Sequence, residues 1–208
     1  MRSAHGKNMK TFYVICTIYV VSIVRGVTGT LTFDDLPTGG GYLPVPNGYG
    51  GLNWSNFLVL DGPADGDGYK VGTISPNNVI FDSYALPAAI SSTSLFSLSS
   101  GYFTAGLELG LNLEVQGFHG ATLLYDATYT LTDTNAMFID FNFSGIDRVL
   151  FTPYLDGSAG SSSQFVIDNL TVGPVPEPGT AVMVVLGVFL MLSHRLRCRP
   201  NQRQGACT

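Results

Sequence analysis

The stretch from Thr30 to Gly173 contains no cysteine: Cys16, Cys198 and Cys207 all sit near the chain ends. That excludes a disulfide framework, so this stretch must fold on an apolar core, with a bound ion as the only other brace. Cys198 and Cys207 are too far apart and too poorly accompanied to read as a metal site. Basic residues are almost as scarce. Between Thr30 and Gly173, Lys70 and Arg148 stand against 14 Asp and Glu, which leaves −12 there although the whole chain carries only −5. Nucleic acid is excluded as a partner, because phosphate contacts need Lys and Arg. The carboxylates favour solubility and suit cations. His119, between Phe118 and Gly120, is the only histidine of the stretch, and no Gly-x-Ser-x-Gly elbow occurs in it. Asp34 and Asp35 are adjacent, so on a strand they would point to opposite faces. No catalytic arrangement emerges, and the expectation is a protein that is not an enzyme.

What is present reads as strands. Leu31-Thr32-Phe33, Phe57 to Leu60, Val79 to Phe81, Phe96 with Leu98, Thr122 to Leu131, Arg148 to Tyr154 and Gln164 to Val172 are short apolar or alternating runs. Leu107, Leu109, Leu111, Leu113 and Val115 alternate against Glu108 and Glu114, and Met137, Ile139, Phe141 and Phe143 against Asp140 and Asn142. Period-two runs bounded by Gly, Pro, Asn and Asp predict half-buried antiparallel strands, and no helical period persists among them. Eight or nine such strands predict an all-β, antiparallel β-sandwich. A jelly roll is the preferred topology and an immunoglobulin-like Greek key the alternative, although the Cys…Trp…Cys pattern is absent.

Both ends differ from this middle. Arg2, Lys7 and Lys10 precede the apolar run Phe12 to Val24, and Val27 and Gly29 permit cleavage after Gly29. That is the pattern of a signal peptide over 1–29. An exported domain then spans 30–173. At the far end, Val175-Pro176-Glu177-Pro178 is followed by an apolar run and by Arg195, Arg197 and Arg199. Thr180 to Ser193 is 14 residues, about 21 Å as a helix against a bilayer core of about 30 Å. A transmembrane helix of that length is marginal, which suits a transient anchor. The arginines favour a cytoplasmic C-terminus.

The order of motif, apolar helix and basic cluster over 174–199, with a tail at 200–208, resembles the PEP-CTERM sorting segment of exported Gram-negative proteins. The resemblance implies processing by an exosortase, with Val175, Pro176, Glu177 and Pro178 recognised and Arg195, Arg197 and Arg199 as the basic stop. It also implies passage through the inner membrane and delivery to the cell surface or extracellular matrix, in an exopolysaccharide or biofilm setting. The pattern Phe33-Asp34-Asp35-Leu36-Pro37, Tyr49 to Phe57 and Phe165 to Leu170 is similar to the exported β-sandwich domains that precede such tails. These resemble carbohydrate-binding jelly rolls in layout.

Two candidate sites for a structural Ca²⁺ follow. The loop Asp61, Asp65, Asp67 with its glycines offers convergent oxygens, though without the closing glutamate of an EF-hand. By the jelly-roll resemblance, Asp34 or Asp35 with Asp168 would hold an ion between the first and last strands. The plainer alternative makes Asp34 a turn cap and pairs Asp168 with Arg148 or the backbone. For sugars, the loop aromatics Tyr42, Tyr49, Trp54, Tyr69, Tyr84 and Tyr102 are candidates, with Trp54 and Tyr49 singled out as stacking residues and core filling the plainer role of Trp54. The function expected is that of a structural or adhesive matrix protein, the alternatives being a carbohydrate-binding module and an uncharacterised hydrolase. Mass spectrometry of the mature protein from an exosortase-bearing host is expected to show a C-terminus that lacks Arg195, Arg197 and Arg199. Recovery of the intact arginine tail in the inner membrane would refute it.

Overall fold

The computed structural model describes residues 29–107, 110–155 and 164–174. The signal segment before Gly29, the sorting motif, the apolar run and the basic cluster lie outside the described residues. Among the described residues no helix is long and apolar enough to cross a membrane.

The strands are β1 (Gly29–Leu31), β2 (Tyr42–Pro44), β3 (Asn53–Ser55), β4 (Phe57–Asp61), β5 (Asn78–Asp82), β6 (Ala88–Ala105), β7 (Leu111–His119), β8 (Thr122–Leu131), β9 (Met137–Tyr154) and β10 (Phe165–Pro174). Every pairing is antiparallel. The 18-residue strands β6 and β9 run through both layers of the sandwich. In the first layer, Phe96 to Ala105 of β6 pairs with β10 on one side and with Met137 to Ile146 of β9 on the other. Strands β5, β4 and β2 follow outward from β10. In the second layer, Ala88 to Ser91 of β6 pairs with β3 and with Arg148 to Phe151 of β9, and β7 and β8 follow.

The fold between layers falls where the β6–β9 register breaks, between Ser91 and Phe96 and again before Leu98 and Ser100. Asn142 (φ 53°) and Gly145 (φ 73°) supply left-handed backbone beside those breaks. Bulges bend a strand and sharpen its twist, so the hairpin closes over itself. Inside the closure, Phe151 of the second layer lies 5.9 Å from Phe57, 6.2 Å from Phe103 and 5.7 Å from Phe165 of the first, ring centre to ring centre. Tyr125 of β8 stacks on Phe143 of β9 at 4.5 Å. The buried Asn78 amide donates to the carbonyls of Phe33 (3.0 Å) and Leu36 (2.8 Å) and so pins the loop after β1.

In the first layer, β4 and β5 are apolar on both faces. Phe57, Val59 and Ile80 enter the main core, whereas Leu58, Leu60, Val79, Phe81 and Val166 form a second cluster with Tyr69 on the outer face. This explains why β4 and β5 read as continuous apolar runs and not as alternating ones.

Several expectations are corrected. The acidic segment after β4 is helical: Gly62–Asp65 and Asp67–Gly72 are short helices. Asp61 caps the first of them, accepting from Ala64 N at 3.1 Å, and Pro63 fits its opening turn. Phe33 does not extend the opening strand. It turns at φ 63°, and its ring is buried. Asp34 and Asp35 therefore lie in a turn. Leu107, at 48% exposed, lies ahead of β7, which begins at Leu111. The runs Met137 to Phe143 and Arg148 to Tyr154 form one bent strand.

Because Phe151 touches aromatic rings from three first-layer positions, Phe151→Ala is expected to cost about 3–5 kcal/mol. Equilibrium denaturation by urea measures it, and a loss below about 1 kcal/mol would show that the interlayer cluster is not the main seam.

Candidate functional site: an aromatic cleft on the outer face

Helix Asp67–Gly72 lies flat on the outer face because its glycines let it. A Cβ on Gly68 would collide with the carbonyl oxygen of Ala105, and one on Gly72 with Thr104 Oγ1. Two hydrogen bonds fix the approach: Gly68 N donates to Gly106 O (3.0 Å) and Thr104 Oγ1 donates to Gly68 O (2.9 Å). The helix thereby places Tyr69 against Phe81, edge to face at 5.5 Å. Tyr42 of β2 meets the same Phe81 edge-on at 6.0 Å.

A fourth ring arrives on a strained turn. Tyr84 (φ 59°) and Ala85 (φ 55°) both hold left-handed backbone, which costs about 1–3 kcal/mol per residue and persists only where the surroundings impose it. Asn56 imposes it here. Its side-chain amide nitrogen donates to the carbonyls of Ser83 (3.1 Å), Leu86 (3.0 Å) and Pro87 (3.2 Å), and its backbone carbonyl accepts from Ser83 N (3.0 Å). The turn holds the Tyr84 ring in solvent at 82% exposure, and Tyr42 is 65% exposed.

These rings line a cavity of about 210 Å³ together with Leu58, Leu60, Asp65, Ser83 and Gln164. An adjoining hollow of about 310 Å³ shares Tyr42, Leu60 and Asp65 and adds Asp61, Ala64 and the loop Thr38, Gly40 and Gly41. Gln164 closes the back wall: Tyr69 Oη donates to Gln164 Oε1 (2.5 Å), and Gln164 Nε2 donates to the Asp82 carbonyl (3.0 Å). Burial raises the Tyr69 phenol above its usual range, and the charges of Asp65, Asp82 and Asp67 push the same way. The cleft thus combines aromatic faces, neutral hydrogen-bonding groups and negative charge.

Beneath it, Asp82 is wholly buried. Oδ1 accepts from Phe165 N at 2.6 Å, while among the described residues Oδ2 has no partner. Burial lifts its pKa to about 7, against the downward pull of the Phe165 hydrogen bond.

The residues singled out from sequence are placed as follows. Asp168 is buried, and its carboxylate is occupied by the N–H groups of Ile74 (2.7 Å), Ser75 (2.8 Å) and Asn169 (2.6 Å) and by Ser75 Oγ (3.1 Å). Burial still raises its pKa, against the downward pull of those bonds. Asp34 accepts from Asn78 N at 3.0 Å, and Asp35 from Tyr49 Oη at 2.8 Å. Asp61 and Asp65 line the cleft, while Asp67 opens the second helix. Among the described residues no three acidic, His or Cys side chains gather as a metal-holding group. Arg148 stacks over Phe118 at 4.0 Å. Trp54 is 7% exposed, ringed by Phe33, Tyr49 and Phe57, and donates Nε1–H to Tyr49 O at 2.9 Å. It therefore fills the core, and Tyr49 packs against it as a half-buried support. The open rings of the cleft are instead those of Tyr42 and Tyr84, with the buried Tyr69 in its wall. Expected in or near loops, Tyr42 lies in β2 and Tyr69 in the helix Asp67–Gly72, and nothing local marked Gln164 or Ser83 as their neighbours.

No family model matches the chain, and no curated protein matches it. Among solved structures it is similar to the CBM22-1 xylan-binding domain from Paenibacillus barcinonensis Xyn10C, at 14% identity over 73% of this chain and 98% of that one, with a TM-score of 0.39. It is also similar to TmCBM61 in complex with beta-1,4-galactotriose, at 9% identity over 58% and 86% of the two chains, with a TM-score of 0.35. A family 11 carbohydrate-binding module from Clostridium thermocellum, in complex with a mixed-linked tetrasaccharide, is 14% identical over 74% and 98%, with a TM-score of 0.35.

Asp82 yields a signed pH effect. Its folded pKa, about 7, exceeds the ordinary carboxylate value. Between those limits the folded state keeps a proton that the unfolded state has released. Its contribution is therefore complete in acid and is lost as pH rises towards and through 7. Asp82→Asn keeps an acceptor for Phe165 N and removes the ionisation. Thermal melts are expected to show the variant gaining on the wild type as pH rises from about 4 to 8. A constant difference across that range would contradict the buried-acid assignment.

Proposed function

We propose that this is a non-catalytic saccharide-binding protein of the cell surface or extracellular matrix, with the outer-face cleft as its binding site. The observation that carries the reading is the Tyr84 ring, held in solvent on a strained turn that Asn56 locks, in the same cavity as the exposed Tyr42. Backbone strain clusters at ligand clamps, because a pre-set ring loses little freedom on binding. A sugar ring offers an apolar face for tyrosines and hydroxyls for neighbours such as Ser83 and Gln164. The tail and its sorting motif supply the delivery route in this reading. An exosortase would process Val175 to Pro178 after transient insertion in the inner membrane, and the domain would then tether the surface or matrix to exopolysaccharide. The adhesive role and the carbohydrate-binding role are in this account one activity.

A glycan array with the full-length protein in detergent tests it. Tyr84→Ala and Tyr42→Ala are expected each to weaken a hit about tenfold, with melting temperatures close to wild type because both rings are exposed. No hit on the array, or hits unaffected by both substitutions, would leave a matrix component without a defined ligand. Turnover of a bound glycan would replace the reading with that of a hydrolase.

A further inference from the structure

We infer that the cleft selects a saccharide carrying a free ammonium group: a hexosamine polymer that has lost at least some of its N-acetyl groups. The inference rests on the saccharide-binding reading and specifies its ligand class.

Three observations converge. First, the exposed rings of Tyr42 and Tyr84 line one cavity whose floor is the buried pair Phe81 and Tyr69. Aromatic faces carry the negative part of the ring quadrupole, and several around one space attract an organic cation. Second, Asp65 lines this cavity and the adjoining hollow, and the charge of Asp65 is felt at the Tyr69 hydroxyl. Asp61 accepts from Ala64 N through Oδ1 and lines the adjoining hollow alone, whereas Asp65 lines both spaces. Third, neither Lys70 nor Arg148, the only basic residues between Thr30 and Gly173, lines either hollow.

These observations separate the saccharide classes. A uronate, a sulfated sugar or a phosphorylated sugar would bring a second negative charge beside Asp65 with no cation to offset it. A neutral hexose would stack but leave the carboxylate to water. A protonated amino sugar gains the stacking, the attraction of the rings and a charge-assisted hydrogen bond to Asp65.

The test measures binding of the full-length protein in detergent by calorimetry. The probes are fully de-N-acetylated β-1,4-glucosamine oligomers, N-acetylated oligomers of the same length, cello-oligosaccharides, oligogalacturonate and tetramethylammonium chloride. At a pH that keeps the amine protonated, the de-N-acetylated oligomer is expected to bind at least about tenfold more tightly than the others. Added salt should shrink that preference. Asp65→Asn should abolish the preference while retaining binding to the neutral oligomers, and Tyr84→Ala should weaken both. Equal affinity for acetylated and de-N-acetylated oligomers, or tighter binding of the galacturonate, would overturn the ammonium assignment and leave the saccharide reading standing. Binding of tetramethylammonium with no oligosaccharide bound would overturn both.

Discussion

The long β6–β9 hairpin is the constraint on which the rest of the molecule depends. Each strand serves both layers, so the two sheets are one hydrogen-bonded surface folded across bulges. The fold is held shut by rings from both sides, with Phe151 at the meeting point of Phe57, Phe103 and Phe165. With no cysteine in the domain, this apolar closure holds the fold without any disulfide.

The closure also explains why a cleft exists where it does. Strands β4 and β5 spend one face on the main core and the other on a smaller cluster beneath helix Asp67–Gly72. The helix covers only part of that second face. Glycines bring it close, Tyr69 seals its edge, and the uncovered remainder becomes the hollow between Tyr42 and Tyr84. Buried polar groups brace the wall: Asp82 fixes the start of β10 through Phe165 N, and Gln164 ties Tyr69 to the end of β5. Strain at Tyr84 and Ala85 is offset by the three carbonyl contacts of one asparagine amide.

The legibility of the chain was uneven for physical reasons. Leu111, Leu113 and Val115 announced β7 by alternation, since their face is fully buried while Glu114, Gln116 and Phe118 on the other are only half-buried. The start of β6 was hidden, because Ser91 to Ser94 is a polar run lying at the bulged bend of the strand. Trp54 and Tyr49 drew attention as aromatics among polar neighbours, yet their faces are taken by Phe33 and Phe57. Burial of an aromatic depends on what packs over it, and a period-two reading of three residues cannot supply that. The acidic loop is ambiguous for a similar reason. Asp, Gly and Pro at short spacing suit both an ion-binding loop and a capped helical turn, and here Asp61 caps a turn.

The sequence by itself determined the class: composition, the period-two runs and the absence of cysteine leave little besides an antiparallel β-domain on an apolar core. It also set the overwhelming negative charge of that domain, since charge needs no fold to be counted. Only tertiary structure decided which aromatics reach solvent and which carboxylates are consumed. Asp168, read either as an ion ligand or as a partner of Arg148 or the backbone, is filled by backbone donors from a segment more than 90 residues away in sequence, whereas Asp65 looked like one of several turn acids and opens into both hollows. Such fates depend on contacts between distant strands, and no local pattern of residues encodes which distant backbone will arrive.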